Sequence, residues 1–387
     1  MNVCIAIEKY DPVYGGAERY CWDFSHYLAA RGIGVEVICM RSKPPLDASI
    51  RVSTVRPLRF PQALRHLSFA VLHCLKARKM PGHVHLCLGN TFFMDVYQPR
   101  GGIHRSWLEA ENRRYPRGVR AATSILQRFQ PKNLVQEMME WWIFRVTRPE
   151  VIAISEMIRA DIQRFYHYPE GRLHLIPNAV DTRRFSPENA RFRDEVRVRY
   201  GLDSREFVFV FIANNPRLKG FDVMMRACQR MEGQPFKVLV IGDEARWAGK
   251  RAEKRGLGSR FVFGGRADDI EKVLPACDCL MHPAYYDACS RVVLEALASG
   301  IPVITTETNG ASMYVDESNG LVVPPDDPLA LSKAMGAILE AGPVREKGRH
   351  FTGEDHERVF QRLVELLEEV QARKFSRPWG GAGCPGS

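Results

Sequence analysis

The sequence predicts an α/β protein built from two successive doubly wound, Rossmann-like units. Three observations carry this reading. The chain has 387 residues, more than one ordinary core supports, so two domains are expected. Short apolar runs alternate with helix-length segments from start to finish, which is the arithmetic of βαβ units. An apolar fraction of 45% and a charged fraction of 26% describe a globular protein, and no run approaches the roughly 20 apolar residues of a membrane span.

The opening residues meet Glu8 at once, without a basic lead-in. They read as a first strand, Val3–Ile7, and not as a signal peptide. A loop from Tyr10 to Arg19 leads into a helix over 16–31, with Tyr20, Phe24, Tyr27 and Leu28 on one stripe. Gly15 and Gly16 at its start either admit a ligand close to the backbone or make a plain tight turn. The loop is not Gly-x-Gly-x-x-Gly, and no acid ends the second strand, Val35–Met40, so dinucleotide binding is poorly supported. His85–Gly89 and Val151–Ile154 are further strands, and Ser155 reads as the cap of the helix that follows.

Residues 90–150 break the alternation. Arg100, Arg105, Arg113, Arg114, Arg117 and Arg120 crowd one stretch with only Glu109 and Glu111 among them. Trp107, Tyr115, Trp141 and Trp142 are interleaved or follow. Arginine with aromatics suits a phosphorylated sugar, a lipid headgroup or single-stranded nucleic acid; a solvated basic surface is the plainer alternative. His104, after the Gly101-Gly102 turn, is a candidate polar substrate contact. Residues 1–175 hold 25 Lys+Arg against 15 Asp+Glu, the whole of the +10 net charge, so an anionic partner of this half is expected.

Leu173–Pro177 is a strand, and the turn-rich 178–187 reads as the hinge between domains. A second strand series follows at Phe207–Ala213, Lys237–Ile241, Phe261–Phe263, Cys279–His282 and Pro302–Thr305. After the first of these, Arg217 and Lys219 precede a helix, where two cations and backbone donors suit a diphosphate, although such a pair is also a common surface feature. The stretch 282–296 passes from strand through a polar turn into a helix. It carries Asp287 and Glu295 eight residues apart, placed to face one crevice at the carboxyl end of a parallel strand. Taken alone, the pair also fits a helix cap and a solvated glutamate. Residues 352–374 form an amphipathic helix, with Val359, Phe360, Leu363, Leu366, Leu367 and Val370 on one side, and 375–387 a flexible tail. Ten cysteines without a Cys-x-x-Cys read as buried thiols in a reducing cytoplasm.

These marks run in a familiar order. Tyr14-Gly15-Gly16-Ala17-Glu18, Ile154-Ser155, the 177–185 stretch, Arg217-Leu218-Lys219-Gly220, Ile241-Gly242, Asp287 to Glu295 and Ala298-Ser299-Gly300-Ile301-Pro302-Val303 together resemble the retaining family 4 glycosyltransferases of the GT-B fold. His282-Pro283-Ala284-Tyr285 and the 214–220 loop look most like the branch of lipopolysaccharide core glucosyltransferases. The resemblance implies two Rossmann-like domains facing across a cleft: 1–177 binding the acceptor, 178–351 binding the nucleotide sugar, and 352–374 returning to the first.

It also implies roles. Arg217 and Lys219 would neutralise the departing diphosphate, and Glu295 would hold the ribose. Asp287, with the backbone of Ala288, Cys289 and Ser290, would hold the transferred sugar, and Val293 is a further donor-binding position. Gly15 and Gly16 would admit donor phosphate, and His104 would contact the donor sugar from the acceptor side. Arg105, Arg113, Arg114 and Arg117 form an acceptor or membrane patch. Asp287 stands where the family usually has Glu, one methylene longer, a change that bears on donor choice. The sequence has no Asp-x-Asp, so no metal or other cofactor is expected; cations and a helix N-terminus would stabilise the leaving group. Two carboxylates flanking the anomeric carbon are not required, and a front-face route is suggested. The partners implied are UDP-glucose, a phosphorylated or lipid-linked glycan and an anionic membrane surface, with no nucleic acid. The place implied is the inner face of the bacterial cytoplasmic membrane. The alternatives are another nucleotide sugar or glycan, or a catalytically silent nucleotide-binding protein of this fold.

Overall fold

A computed structural model describes residues 1–115, 117–342 and 353–376. The first half carries β1 (Asn2–Ala6), β2 (Lys9–Tyr10), β3 (Gly34–Cys39), β4 (Arg41–Ser42), β5 (Arg51–Thr54), β6 (Val84–Cys87), β7 (Val96–Tyr97), β8 (Glu150–Ala153) and β9 (Leu173–Leu175). Seven of these make one parallel sheet in the order β5-β3-β1-β6-β7-β8-β9, while β2 and β4 pair separately. The second half carries β10 (Val208–Ile212), β11 (Lys237–Ile241), β12 (Phe261–Gly265), β13 (Cys279–His282), β14 (Val303–Thr306) and β15 (Gly320–Val323). They form a second parallel sheet in the order β12-β11-β10-β13-β14-β15.

The central strands are mostly apolar because helices cover both faces. Val3 to Ala6 and Val208 to Phe211 are all buried. The covering helices in the first half are α1 (Gly16–Ala29), α2 (Gln62–Ala77), α3 (His104–Asn112), α4 (Arg120–Arg128), α5 (Pro131–Trp142) and α6 (Glu156–Tyr166). Those in the second are α7 (Arg193–Arg199), α8 (Phe221–Gln229), α9 (Ala245–Glu253), α10 (Ile270–Ala276), α11 (Arg291–Ala298) and α12 (Pro328–Ala341). The stripe expected on α1 is there: Tyr20, Phe24, Tyr27 and Leu28 are buried.

The last helix, α13 (His356–Ser376), returns to the first sheet. It buries Val359, Phe360, Leu363, Val364, Leu366, Leu367 and Val370. The Phe360 ring lies 5.5 Å from Tyr20, 5.1 Å from Phe24 and 5.2 Å from Tyr27 on α1. Burial of one such side chain stabilises by roughly 1.5–3 kcal/mol, so this helix is part of the first core. Phe375 and Ser376, assigned to a flexible tail from sequence, are helical. Arg373 to Glu150 at 3.0 Å and Lys374 to Asp95 at 2.8 Å hold that last turn on the sheet. The rest of the expected tail, 377–387, lies outside the described residues.

Strand order reverses beside β1 and again beside β10. Loops leaving the carboxyl ends of such strands diverge and leave a crevice between them. The segment 177–187 crosses between the two sheets near this point and stitches them. Asn178 Nδ2 donates to the Cys289 carbonyl at 2.7 Å. Ser155 accepts from the Ile158 amide at 3.2 Å, the cap read from sequence, and also donates to the Ala288 carbonyl at 2.7 Å. Farther along, Arg120 at the start of α4 reaches Asp326 of the second half at 2.8 Å.

Candidate functional site

The reversal points of both sheets open on one cavity of about 580 Å³. Its lining includes the Pro12–Ala17 loop, Asn214, Asn215, Lys219, Arg184, Arg266, Asp287, Arg291 and Glu295. Both carboxylates of the 282–296 stretch therefore face the same crevice, with the first loop on the opposite wall.

Asp287 is held by its backbone. Its amide donates to the Thr308 carbonyl at 3.0 Å and its carbonyl accepts from Gly310 at 2.8 Å. The turn before α11 is thereby braced by the turn after β14. The Asp287 side chain accepts from Lys219 Nζ at 2.5 Å and from His282 Nε2 at 3.0 Å. Burial pushes this carboxyl up, but Lys219 and His282 outweigh it and hold it well below the usual carboxylate range. Burial pushes His282 down, against the hydrogen bond to Asp287.

Lys219 comes from a tight turn. Its amide donates to the Asn215 carbonyl at 3.2 Å, and the Leu218 carbonyl accepts from the Tyr285 amide at 3.1 Å. The turns carrying Lys219 and Asp287 are thus one hydrogen-bonded unit beside the N-terminus of α8. Asn214 Nδ2 donates across the crevice to the Tyr14 carbonyl at 3.2 Å.

Glu295 lies one turn into α11, with Arg291 at 3.7 Å. Burial pushes its carboxyl up, against Arg291, Arg184 and Arg19. Arg291 also approaches the Gly16 carbonyl at 3.5 Å, and a Cβ on Gly16 would sit 3.4 Å from its Cδ. Gly15, extended and just before α1, lines the crevice with Gly16.

Not every sequence-assigned residue arrives here. Arg217 is turned away: its guanidinium lies 4.8 Å from the Trp247 ring centre and its Nε 4.0 Å from Glu244. Trp247 on α9 offers it a π-face and Glu244 a counter-charge, neither visible in the local spacing. Val293 is fully buried in the core behind α11, with Val292 as the crevice-lining neighbour, because one helical step turns a side chain by about 100°. Ala288 is buried, its carbonyl taken by Ser155. Cys289 and Ser290 line the crevice.

His104 opens α3 and faces an adjoining cavity of about 240 Å³ instead of the Asp287 crevice. Its ring stacks on Trp107 at 5.6 Å, and Nε2 is buried without a partner. Burial, then Lys132, pushes it down to about 4, so it is neutral at physiological pH. Glu140 positions it, accepting from the His104 amide at 2.7 Å and from the Tyr166 hydroxyl at 2.9 Å.

Burial pushes Glu140 from 4.5 up to about 7. A carboxyl whose folded value is raised contributes stability that is full below its unfolded value and lost as pH rises through the folded one. The charged form is disfavoured by about 3 kcal/mol on folding. Glu140→Gln therefore flattens the fall in melting temperature between pH 4.5 and about 7, since the neutral amide keeps the acceptor for His104. A variant with the wild-type slope in a pH series of thermal melts would contradict this placement.

The basic patch is more neutralised than its sequence suggests. Glu137 of α5 lies 3.9 Å from Arg105 and 3.8 Å from Arg128, Glu111 pairs with Arg114, and Asp326 pairs with Arg120. These acids come from later segments, apart from Glu111. Arg113 is exposed and lines a separate groove with Arg120 and Asp326. The Arg117 side chain lies outside the described residues.

Several crevice residues escaped the sequence reading. Arg184 pairs with Glu271 at 2.8 Å, and Arg266 pairs with Asp243. Arg291 had a local signal, its four-residue spacing from Glu295. Among the described residues no group of three His, Cys, Asp or Glu is placed to hold a metal, and all described cysteines are free.

Comparisons with known proteins bear on this geometry. Residues 14–184 match the family model described as Glycosyltransferase Family 4, and 192–352 the one described as Glycosyl transferases group 1. The chain is 24% identical over 374 residues to lipopolysaccharide glucosyltransferase WaaG of Escherichia coli, covering 91% of this chain and 94% of that one. The crystal structure of WaaG superposes with a TM-score of 0.78 at 20% identity, covering 97% of this chain and all of the other. Anabaena Alr3699/HepE in complex with UDP-glucose superposes with a TM-score of 0.69 at 17% identity, covering 95% of this chain and 100% of the other. The expected fold, GT-B with a returning C-terminal helix, is the observed one.

Proposed function

We propose, from the premise that this chain belongs to the family 4 and group 1 glycosyltransferases, that it moves glucose from UDP-glucose, with retention, onto a lipopolysaccharide-core or other membrane-associated glycan. The observation that carries this is the Lys219–Asp287 pair, set in one crevice with Glu295 and the Gly15-Gly16 turn. The choice of donor and acceptor is supported by a relative named a lipopolysaccharide glucosyltransferase and a neighbour holding UDP-glucose.

In this reading 1–177 with α13 receives the acceptor and 178–351 the donor. Lys219 leaves Asp287 for a phosphate oxygen, beside the N-terminus of α8, and Arg217 swings in from Trp247. Asp287, freed, accepts from a sugar hydroxyl, while Glu295 takes the ribose. The bond from the anomeric carbon to phosphate breaks, and the acceptor oxygen bonds that carbon from the same face. The acceptor proton passes to the phosphate oxygen that leaves with UDP. The cations supply the leaving-group stabilisation here, so activity is expected to persist in a chelator. The anomeric configuration of the product, read by NMR, tests the stereochemistry: an inverted product would overturn the front-face route.

The acceptor is proposed to lie at an anionic membrane surface. No helix among the described residues is long and apolar enough to cross a membrane, so the attachment proposed is peripheral. Helix α4 has no buried residue and exposes Ile125 at 60% and Leu126 at 69%, followed by Phe129 at 70%. Arg120 and Arg128 on the same helix are each paired with an acid, so the exposed apolar groups carry the likeness to an interfacial helix. Leu126→Ser with Phe129→Ser is expected to lower partition onto anionic liposomes by about 10-fold or more. Replacing Arg113, Arg114 and Arg117 is expected to weaken it in a salt-dependent way. Unchanged partition in a sedimentation assay would return this helix to plain surface.

A further inference from the structure

One cation of the crevice lacks an acid. Arg19, Arg184, Lys219, Arg266 and Arg291 each have a carboxylate at 2.5 to 3.7 Å. Arg100 has none among the described residues, is 9% exposed, and keeps Nε and Nη1 buried without a hydrogen-bond partner. Its guanidinium lies 3.7 Å from the Tyr20 ring centre, a contact that leaves N–H groups unused.

An arginine buried without counter-charge or acceptor is unfavourable in the free protein. Burial, then the neighbouring Arg291, pushes it down to about 10, so it still carries its charge at neutral pH. Arg100 follows β7, at the seam between the two cavities. It lines both the Asp287 crevice and the cavity that holds His104. The planar fork of an arginine pairs with an oxyanion through two parallel hydrogen bonds.

We propose that Arg100 binds an oxyanion of the acceptor, a phosphoryl or carboxylate group carried close to the hydroxyl that receives the sugar. The proposal deepens the transfer reading and rests on it. The donor's diphosphate is the other source of the same chemistry. The acceptor is favoured because Arg100 stands on the first sheet's side and opens on the His104 cavity, while the crevice already supplies the donor with Lys219.

Calorimetric titrations of the full chain with UDP, and with inorganic phosphate after saturation by UDP, test this with Arg100→Met and Arg100→Lys. Wild type is expected to bind phosphate on top of UDP. Arg100→Met is expected to weaken phosphate by about 10-fold or more, leaving UDP within about 2-fold. Without ligand it should melt no lower than wild type, because it removes an unpaired buried charge. A tenfold loss of UDP affinity, with no phosphate bound by UDP-saturated wild type, would overturn the acceptor assignment in favour of the donor. Unchanged affinity for both anions would overturn the site. A lower melting temperature, restored by Arg100→Lys together with wild-type phosphate affinity in both variants, would make Arg100 a structural residue and overturn it too. Wild type that binds no UDP at all would instead fail the transfer reading, and phosphate alone would then report on Arg100.

Discussion

Lys219→Ala is expected to lower turnover by at least about 10²–10³-fold, the cost typical of removing one donor aimed at developing charge. In the proposed reaction Lys219 is the crevice cation whose pairing changes. It sits 2.5 Å from Asp287 in the free protein, with the two side chains only 22% and 16% exposed. A lysine that touched only the diphosphate could be replaced without disturbing the fold. The ion pair corrects that. Removing the ammonium leaves Asp287 with His282 as its remaining partner, and a destabilisation of about 1–3 kcal/mol follows for a part-buried pair. Adding Asp287→Asn should return part of that stability, because the stranded charge is gone, and none of the turnover. The sign with pH also follows. The depressed carboxyl contributes stability that is present above its unfolded value and lost as pH falls through the acid range, so Lys219→Ala should unfold at higher pH than wild type. Initial rates with acid-melting curves separate the two effects; wild-type turnover would remove Lys219 from the leaving-group site.

Gly220→Ala is expected to be among the most damaging single-methyl changes near the crevice. Gly220 has φ +81°, a left-handed conformation, and a Cβ there would overlap the Pro283 carbonyl oxygen. Both the Lys219 turn and the turn leading to Asp287 must then shift. The backbone strain alone costs about 1–2 kcal/mol and the clash adds to it, so a loss of about 2–4 kcal/mol is expected, with turnover falling in parallel. Gly256→Ala is the control. It has φ +71° but nothing within 4 Å of the added methyl, so it should show the backbone cost without the loss of turnover. Equal damage from both would mean that the contact at Pro283 is unimportant.

The parts legible in sequence were those with strong local grammar. β11 and β13 fall where the apolar runs put them, and β1 and β10 within a residue, because strands covered on both faces are largely apolar. Asp287 and Glu295 could be placed in one crevice because strand, turn and helix follow each other without a gap. Short or polar strands were missed. Arg51-Val52-Ser53-Thr54 is an edge strand, and Val96-Tyr97 is held by its neighbours and not by its own pattern. Side-chain partners drawn from distant segments were also out of reach: Trp247 under Arg217, Glu137 beside Arg105, and Glu140 under His104. Each is a tertiary contact between stretches whose separate sequences look like ordinary helices. The inward turn of Val293 is a different kind of miss, a matter of helical phase one residue from a crevice-lining neighbour.

The most direct test of the central claim is UDP release from UDP-glucose by the purified chain in a chelator, alongside GDP- and ADP-sugars. Slow UDP release from UDP-glucose is expected, with stabilisation of the protein by that donor and loss of both in Lys219→Ala. Neither release nor stabilisation with any nucleotide sugar, under conditions where the chain is folded, would contradict it.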